Sequence, residues 1–407
     1  MSENNENMQC VILAAGKSTR TYPLTVTRPK ALLKIANKTI LEHTFDNLIG
    51  LVNEIIVIVG FKKEMIIDYF GSDYQGIKLT YVEQNEQLGT GHALACARDK
   101  IDDKFLMLNG DDLYAREDLE KCLTKKYCVL VKEVDNPERF GILKIQDEKV
   151  IEIVEKPEVF ISNLANCQAF VLDKNIFDIE LKKTERGEFE VTDYVNALAL
   201  KESVDYVVVE KYWQPVGYPW NILEANSHFL KLIHTEISSD AVIEENVHIK
   251  GEVIIGVGTV IKSGTYIQGP VIIGENCTIG PSAYIRPDTS IANNCTIRSE
   301  VFDAVIDEGS VLKHHAYIGH SVLGVDVNIG AGTVTSDYRH DGKNHITVVN
   351  DNKIDSGRRK LGSFMGDHVR TGINTSIYPG RKIWPWTGTL PGEIVKKDKM
   401  DMFLRPK

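Results

Sequence analysis

The sequence predicts an α/β sheet domain followed by a parallel β-helix built of hexapeptide repeats. Three observations carry that expectation. From Met8 to about Phe229, short and nearly all-apolar runs alternate with helix-like segments. From Ile243 to Ile297 an isoleucine recurs at every sixth residue without a miss. Between the two, near residues 230–240, the helix signals stop and the repeat begins. A chain of 407 residues exceeds one average domain. The expected division is therefore 1–235 and 236–407.

In chain order, Cys10-Val11-Ile12-Leu13 reads as a buried first strand. Ala14-Ala15-Gly16 then lets the backbone turn tightly, and small residues of this kind allow amide N–H groups to approach a phosphate. Arg20 and Lys30 follow as two fixed positive charges, with Pro23 and Pro29 stiffening the loop between them. Such a loop at the carboxyl end of a strand suits a polyphosphate, although an ordinary strand–loop–helix connection has the same look. Glu54–Gly60, Phe105–Leu108 and Tyr206–Val209 read as further strands covered on both faces. Thr39–Leu48, Lys62–Phe70, Gly91–Arg98 and Val191–Leu200 read as helices. Strands alternating with helices indicate a largely parallel, Rossmann-like sheet whose ligands bind beyond the strand carboxyl ends.

A period of six fits neither a helix nor a simple strand. It fits a chain that turns a corner every six residues and points one isoleucine inward on each flat face, in a left- or right-handed parallel β-helix. Small or β-branched residues two positions earlier, such as Val253, Thr259 and Cys277, share the pattern. The register breaks at Asp303 and is interrupted by the polar stretch 335–362. Interruptions of a regular solenoid are where function concentrates. The tail from Trp384 reads as irregular.

Composition narrows the function. A net charge of −10 offers no basic field for a nucleic-acid backbone. Seven cysteines, an odd number with no CxxC, fit reduced and buried thiols better than a disulfide framework or a zinc site. The polar start MSENNENMQ lacks the apolar core of a signal peptide, and no apolar run is long enough to span a membrane. The expected location is the cytoplasm.

Three segments together resemble the sugar-1-phosphate nucleotidylyltransferases. Leu13, Gly16, Thr19, Arg20, Pro23, Thr25, Pro29 and Lys30 follow their first motif, with Ser18 in place of its second glycine. Gln84 and Gln87-Leu88-Gly89-Thr90-Gly91-His92-Ala93 follow their base-binding segment, and Leu108-Asn109-Gly110-Asp111-Asp112 their metal-binding turn. Over residues 9 to about 380 the chain is similar to the two-domain members with a left-handed β-helix. The best match is the family of bifunctional N-acetylglucosamine-1-phosphate uridylyltransferases and glucosamine-1-phosphate N-acetyltransferases. The resemblance implies a nucleotide site at Leu13, Ala14, Ala15, Gly16, Gln84, Gly89 and Thr90, with Arg20 and Lys30 catalytic. It implies Mg²⁺ at Asp111, with Asn221 as second ligand, and sugar-phosphate contacts from Gly141, Glu155, Lys156 and Asn166. UTP is favoured over dTTP by the wording of the second motif. A glutamine amide can meet both N3–H and a carbonyl of a uracil edge.

For the β-helix, the resemblance implies acetyl-CoA as co-substrate and His314 as general base, an apt role for a side chain that titrates near neutral pH. Arg286, Tyr317, Asn328 and Lys343 match its substrate contacts. Two departures stand out: the family's lysine is missing near Phe302, and its asparagine is Asp337 here. A carboxylate cannot donate to a thioester oxygen and repels a developing oxyanion. The resemblance also implies a homotrimer formed through the β-helix. Two other readings fit the same residues: a glucose-1-phosphate uridylyl- or thymidylyltransferase whose β-helix only assembles the protein, and a catalytically silent sugar-nucleotide sensor or scaffold.

Overall fold

The computed structural model describes residues 8–184 and 187–401; the polar residues 1–7 considered above lie outside that range. By internal contacts the chain divides into two units. The first comprises residues 1–17 and 40–215, the second residues 18–39 and 216–407. The expected boundary at 235 differs from this division in two places. Residues 18–39 and helix α6 (Pro219–Leu230) count with the β-helix, because their side chains bond to its coils.

In the first unit, β1 (Gln9–Leu13), α1 (Ile40–Leu48), β2 (Glu54–Val59), α2 (Lys63–Phe70), β3 (Ile77–Glu83), α3 (Thr90–Cys96) and β4 (Lys104–Asn109) follow the expected alternation. Strands β4-β1-β2-β3 pair in parallel, and β1, with neighbours on both sides, is buried along nearly its whole length. Beyond β4 the sheet changes direction. After α4 (Arg116–Leu123) come β5 (Cys128–Glu133), β6 (Gly141–Gln146), β7 (Lys149–Glu155) and β8 (Leu164–Asp173). Strand β8 runs antiparallel to β4, β5 and β6, and β6 antiparallel to β7. After α5 (Val191–Ala199), β9 (Asp205–Val208) pairs in parallel with β5 and completes a ten-stranded mixed sheet. The largely parallel sheet read from the sequence is thus its first half only.

The second unit is a left-handed parallel β-helix. Ile255 pairs with Ile273 and Ile273 with Ile291, so each coil is three hexads long and the isoleucines stack in columns. A second column runs Ile261–Ile279–Ile297–Leu312–Ile329, and a third Ile267–Ile285–Val301–Ile318. These side chains are almost wholly buried, and each contributes about 1.5–3 kcal/mol of transfer free energy. The tail read as irregular continues the solenoid: Ile394–Val395 pairs with Ser376–Ile377, and Trp384 N–H donates to the Lys399 carbonyl.

The broken register has a structural cause. In β10 (Glu300–Ile306) and β11 (Tyr317–Leu323) the strand runs straight past the usual corner. Phe302 pairs with Gly319 and Ala304 with Ser321, which leaves Asp303 and His320 at one level between them. Both sit in left-handed backbone, φ 44° and 49°. The 335–362 stretch leaves the next coil and forms a hairpin, Ile346–Val349 against Asn352–Asp355. All seven cysteines are free thiols, and all but the half-buried Cys96 are buried. Among the described residues no helix is long and apolar enough to cross a membrane.

Candidate functional site

Within the first unit the loop after β1 is held from three sides. The Ala14 N–H donates to the Ile58 carbonyl at 2.8 Å, and the Ala15 carbonyl accepts from Phe61 N–H (3.0 Å) and Gln87 Nε2 (2.9 Å). The Leu13 carbonyl accepts from Gly110 N–H at 2.9 Å. A Cβ on Gly110 would stand 2.8 Å from that oxygen, so only glycine lets the turn after β4 come this close. The N–H groups of Ala15, Gly16 and Lys17 meet no acceptor among the described residues. Three successive amides without a protein acceptor leave donors that an anion can take. Gln87, which couples this loop to the second motif, was not among the sequence-expected site residues.

The second motif is equally constrained. Gln84 is buried, and its Nε2 donates to the Gly89 carbonyl (3.2 Å) and meets His92 Nδ1 (3.0 Å). A backbone carbonyl only accepts, so the amide is oriented with Oε1 turned away, and Oε1 has no partner among the described residues. Gly89 lies at φ 102°, ψ 176°, and a Cβ there would stand 2.4 Å from the Phe189 carbonyl. Thr90 is spent on structure: its hydroxyl donates to Glu190 (2.9 Å) and accepts from Val191 N–H (3.0 Å). The Thr90 hydroxyl thus ties α3 to the start of α5. After β4 the two aspartates divide. Asp112 is buried and accepts from Trp213 Nε1 at 3.0 Å, whereas Asp111 is half-buried in the turn.

On the sugar side, Gly141 and Glu155 are register partners across β6 and β7. A Cβ on Gly141 would stand 3.0 Å from Glu155 Oε2 and 3.8 Å from Asn166 Cβ, so these three residues are gathered at one place. Asn166 is buried. Its Oδ1 accepts from Gln168 N–H (2.8 Å), while its Nδ2 is buried without a partner among the described residues. Such a donor costs about 1–3 kcal/mol unless something completes it. Lys156 begins the next turn at φ 46°, with its ammonium 3.6 Å from Glu155.

In the second unit, Arg20 is exposed, its guanidinium 5.7 Å over the Tyr218 ring, and it has no carboxylate partner among the described residues. Lys30 is buried and its ammonium donates to the Val216 carbonyl at 3.0 Å. Ser18 sits in left-handed backbone, φ 53° and ψ 50°, where the family motif has glycine. Its carbonyl holds the turn by accepting from Thr21 N–H (3.1 Å), Thr21 Oγ1 (2.7 Å) and Thr25 Oγ1 (2.9 Å). Asn221 caps α6: Oδ1 accepts from Tyr218 N–H (2.9 Å) and Nδ2 donates to Glu224 (2.9 Å). These are the bonds of a helix cap, and they give no support to a metal-ligand role.

The interrupted coils of the β-helix hold a buried polar chain. His320 Nδ1 lies 2.6 Å from Asp303 Oδ2, which also accepts from Arg358 Nη2 at 2.8 Å. His320 Nε2 is 3.3 Å from Asp337 Oδ2 but is not aligned for a hydrogen bond. Asp337 Oδ2 accepts from the Tyr317 hydroxyl at 3.0 Å. Burial and the Asp337 carboxylate push that phenol well above its usual range. The Arg286 guanidinium stacks 4.1 Å over Phe302 and bonds Glu300 at 2.9 Å, so Arg286 and Tyr317 share one face. His314 and His315 are exposed in a left-handed corner, φ 64° and 60°. Asn328 and Lys343 are also exposed, and neither bonds through its side chain to His314, Tyr317 or Arg286 among the described residues. Asp337, at the place where the family has asparagine, accepts from Tyr317 and lies 3.3 Å from His320 Nε2. The His320–Asp303 pair escaped the sequence reading; two polar residues breaking the apolar register at equivalent places were its only signal.

A sequence model described as nucleotidyl transferase matches residues 9–231, and one described as GMPPB C-terminal domain matches residues 267–385. The chain is 45% identical over 381 residues to the bifunctional protein GlmU of Methanocaldococcus jannaschii, covering 92% of each chain. The chain belongs to the bifunctional GlmU family of nucleotidyl transferases. It is also 39% identical over 400 residues to the bifunctional sugar-1-phosphate nucleotidylyltransferase/acetyltransferase of Sulfurisphaera tokodaii, covering 96% of this chain and 98% of that one. A UDP-glucose pyrophosphorylase solved with UDP-glucose shares the fold of the first unit, with a TM-score of 0.52 at 23% identity over 56% of this chain and all of the other.

Family membership makes the chain an enzyme, and its donor sets can be tested for a metal ion. Among the described residues no group of three His, Cys, Asp or Glu side chains is gathered as a cage. An ion such as Mg²⁺ needs no cage, since it takes one or two carboxylates and completes its shell with water and substrate phosphates. Asp111, half-buried in the turn after β4, has the oxygen chemistry for that need; Asp112 is buried and gives one oxygen to Trp213.

Proposed function

We propose that this GlmU-family chain transfers a uridylyl group from UTP to a sugar-1-phosphate, best N-acetylglucosamine-1-phosphate, and releases pyrophosphate. The single observation that carries the reading is the fixed loop with three unpaired amides at Ala15, Gly16 and Lys17, a cradle for a phosphate chain. A phosphate oxygen of the sugar-1-phosphate attacks the α-phosphorus in line. The new O–P bond forms as the bond to the β-phosphate oxygen breaks, and pyrophosphate leaves with the electron pair. Arg20 neutralises the leaving phosphates and Lys30 the reacting ones, so catalysis is positioning and charge stabilisation. Gln84 Oε1 accepts from the N3–H of uracil; a cytosine, with a bare N3, has no proton to offer it. Asn166 Nδ2, Glu155 and the Gly141 backbone receive the sugar, with Lys156 for its phosphate. Bound at Asp111, Mg²⁺ supplies charge neutralisation on phosphate oxygens.

In the β-helix, the same family reading gives acetyl-CoA-dependent N-acetylation of glucosamine-1-phosphate. His314 deprotonates the amine, and Arg286, Tyr317, Asn328 and Lys343 hold the substrate. The β-helix also assembles a homotrimer. A half-exposed aromatic column, His248–Tyr266–Tyr284, on one face supports an interface there. A purely structural β-helix is favoured by one observation: exposed His314 has no carboxylate to orient it among the described residues.

A pyrophosphate-release screen over nucleoside triphosphates and sugar-1-phosphates, with a thiol-release arm for acetyl-CoA, tests both activities. UTP with N-acetylglucosamine-1-phosphate should turn over fastest. No release with any pair would sink the first activity. No thiol release with glucosamine-1-phosphate would leave the β-helix an assembly device.

A further inference from the structure

Residues 18–39 carry Arg20 and Lys30, yet they are fastened to the β-helix. Arg28 is mostly buried and forks between two coils, Nη1 to Asp307 at 2.7 Å and Nη2 to Asp367 at 2.8 Å. Thr27 Oγ1 donates to the same Asp367 oxygen at 2.5 Å, and Lys34 lies 3.3 Å from the other Asp307 oxygen. Asn37 Nδ2 adds a bond to the Ile291 carbonyl at 2.7 Å. Both aspartates are themselves held, Asp367 Oδ1 by Val325 N–H and Asp307 Oδ1 by Glu308 N–H, each at 2.8 Å. Asp307 stands out in its column. The equivalent positions on neighbouring coils are Gly256, Gly274, Ala292, Gly324 and Gly366, each donating its N–H to the following coil as Asp307 does. A carboxylate in a row of small residues, matched to a buried arginine, is a built socket.

We propose that Arg28, Asp307 and Asp367 are positioning residues for nucleotidyl transfer: the β-helix fixes the loop that presents Arg20 and Lys30 to the triphosphate. The inference rests on the phosphate roles of those two residues. A planar guanidinium whose two Nη groups reach different buried carboxylates is held in one orientation, whereas the ammonium of lysine, a rotating point charge on a different stem, does not reproduce that fork. The second unit thereby sets the rate of a reaction that its acetyl-transfer residues do not touch.

Asp307→Asn, Asp367→Asn and Arg28→Lys, with Arg28→Ala and Arg20→Ala beside them, test this in the full chain. Hydrogen exchange of residues 18–33 should rise in the first three. Their kcat/KM for UTP should fall at least tenfold, while KM for the sugar-1-phosphate stays within twofold. Added guanidinium should restore part of the turnover of Arg28→Ala, which a merely destabilised protein would not show. Unchanged exchange in both aspartate variants would overturn the proposal. So would loosened exchange with wild-type kcat/KM, provided Arg20→Ala is impaired. Wild-type turnover by Arg20→Ala would instead refute the phosphate role of Arg20, and the inference would fall with it.

Discussion

Replacing Gly89 by alanine probes the nucleotide segment with a single methyl group. At φ 102° and ψ 176° the backbone lies in a region that only glycine populates, and forcing another residue there costs on the order of 1–3 kcal/mol. The new Cβ would stand 2.4 Å from the Phe189 carbonyl and 2.9 Å from its nitrogen. Both are backbone atoms and cannot swing away as a side-chain tip would, so overpacking adds about 1–3 kcal/mol. The chain can relieve the clash by pushing residues 188–190 outward. That breaks the bonds from Gly91 N–H to the Phe189 carbonyl (2.7 Å) and from Phe189 N–H to Leu88 (2.8 Å), each worth about 1 kcal/mol. Gln84, anchored on the Gly89 carbonyl, moves with it. Denaturant unfolding should show a loss of about 2 kcal/mol or more. KM for UTP should rise at least tenfold, with KM for the sugar-1-phosphate little changed. Wild-type KM together with a stability loss below about 0.5 kcal/mol would refute the argued link between this backbone and the base.

Further tests separate neighbouring residues. Asp111→Asn should abolish metal-dependent pyrophosphate release without altering the melting temperature. Asp112→Ala should lower stability by about 1–3 kcal/mol by stranding the Trp213 indole N–H; the reverse pattern would exchange their roles. His320→Asn should slow thiol release from acetyl-CoA while leaving pyrophosphate release intact, because it removes the ring that stands between Asp303 and Asp337, the acceptor of the Tyr317 hydroxyl; unchanged thiol release would make the buried chain a packing feature. Burial holds the His345 imidazole below its ordinary 6.5, and its Nε2–H donates to the Asp337 carbonyl. The folded state therefore prefers the neutral ring, and the unfolded state binds the extra proton first. Stability from this site is complete above pH 6.5 and is lost as pH falls below it, so the exchange protection factors of residues 335–362, corrected for the intrinsic rate at each pH, should fall on mild acidification, and His345→Gln should flatten that dependence. Ser18→Gly relieves about 1 kcal/mol of left-handed strain and adds a similar unfolded-state entropy, so stability should change by less than about 1 kcal/mol with turnover kept.

What was legible in the sequence was whatever repeats or clusters locally. The isoleucine period announced the β-helix because no other fold puts a core residue at every sixth position, and the apolar runs at Glu54–Val59 and Lys104–Asn109 announced buried parallel strands. Strands β6 and β7 were missed because their mixed faces carry no such run: Lys144 and Gln146 of β6 and Glu152 of β7 are exposed. At the candidate site the motifs were legible as words, but the hydrogen bonds of each side chain were not. The ties of Thr90 to Glu190 and of Asn221 to Tyr218 can be identified only from coordinates. Asp303 and His320 show in the sequence only as breaks in the apolar register, and Arg28 lies hundreds of residues from its two aspartates, so neither contact can be read from neighbouring residues.

The socket for Arg28 also imposes an order in time. Asp307 lies 279 residues after Arg28, and Asp367 lies 339 residues after it. At roughly 5–20 residues per second of synthesis, Arg28 leaves the ribosome about 20–70 s before Asp367 exists. The loop must wait through that interval without its anchor, while the sheet strands on either side of it in sequence are already available to pair. A nascent chain released early, or stalled before residue 367, would hold a formed sheet and an unsecured loop. Completion of the last coils is then the event that makes the beginning of the chain competent.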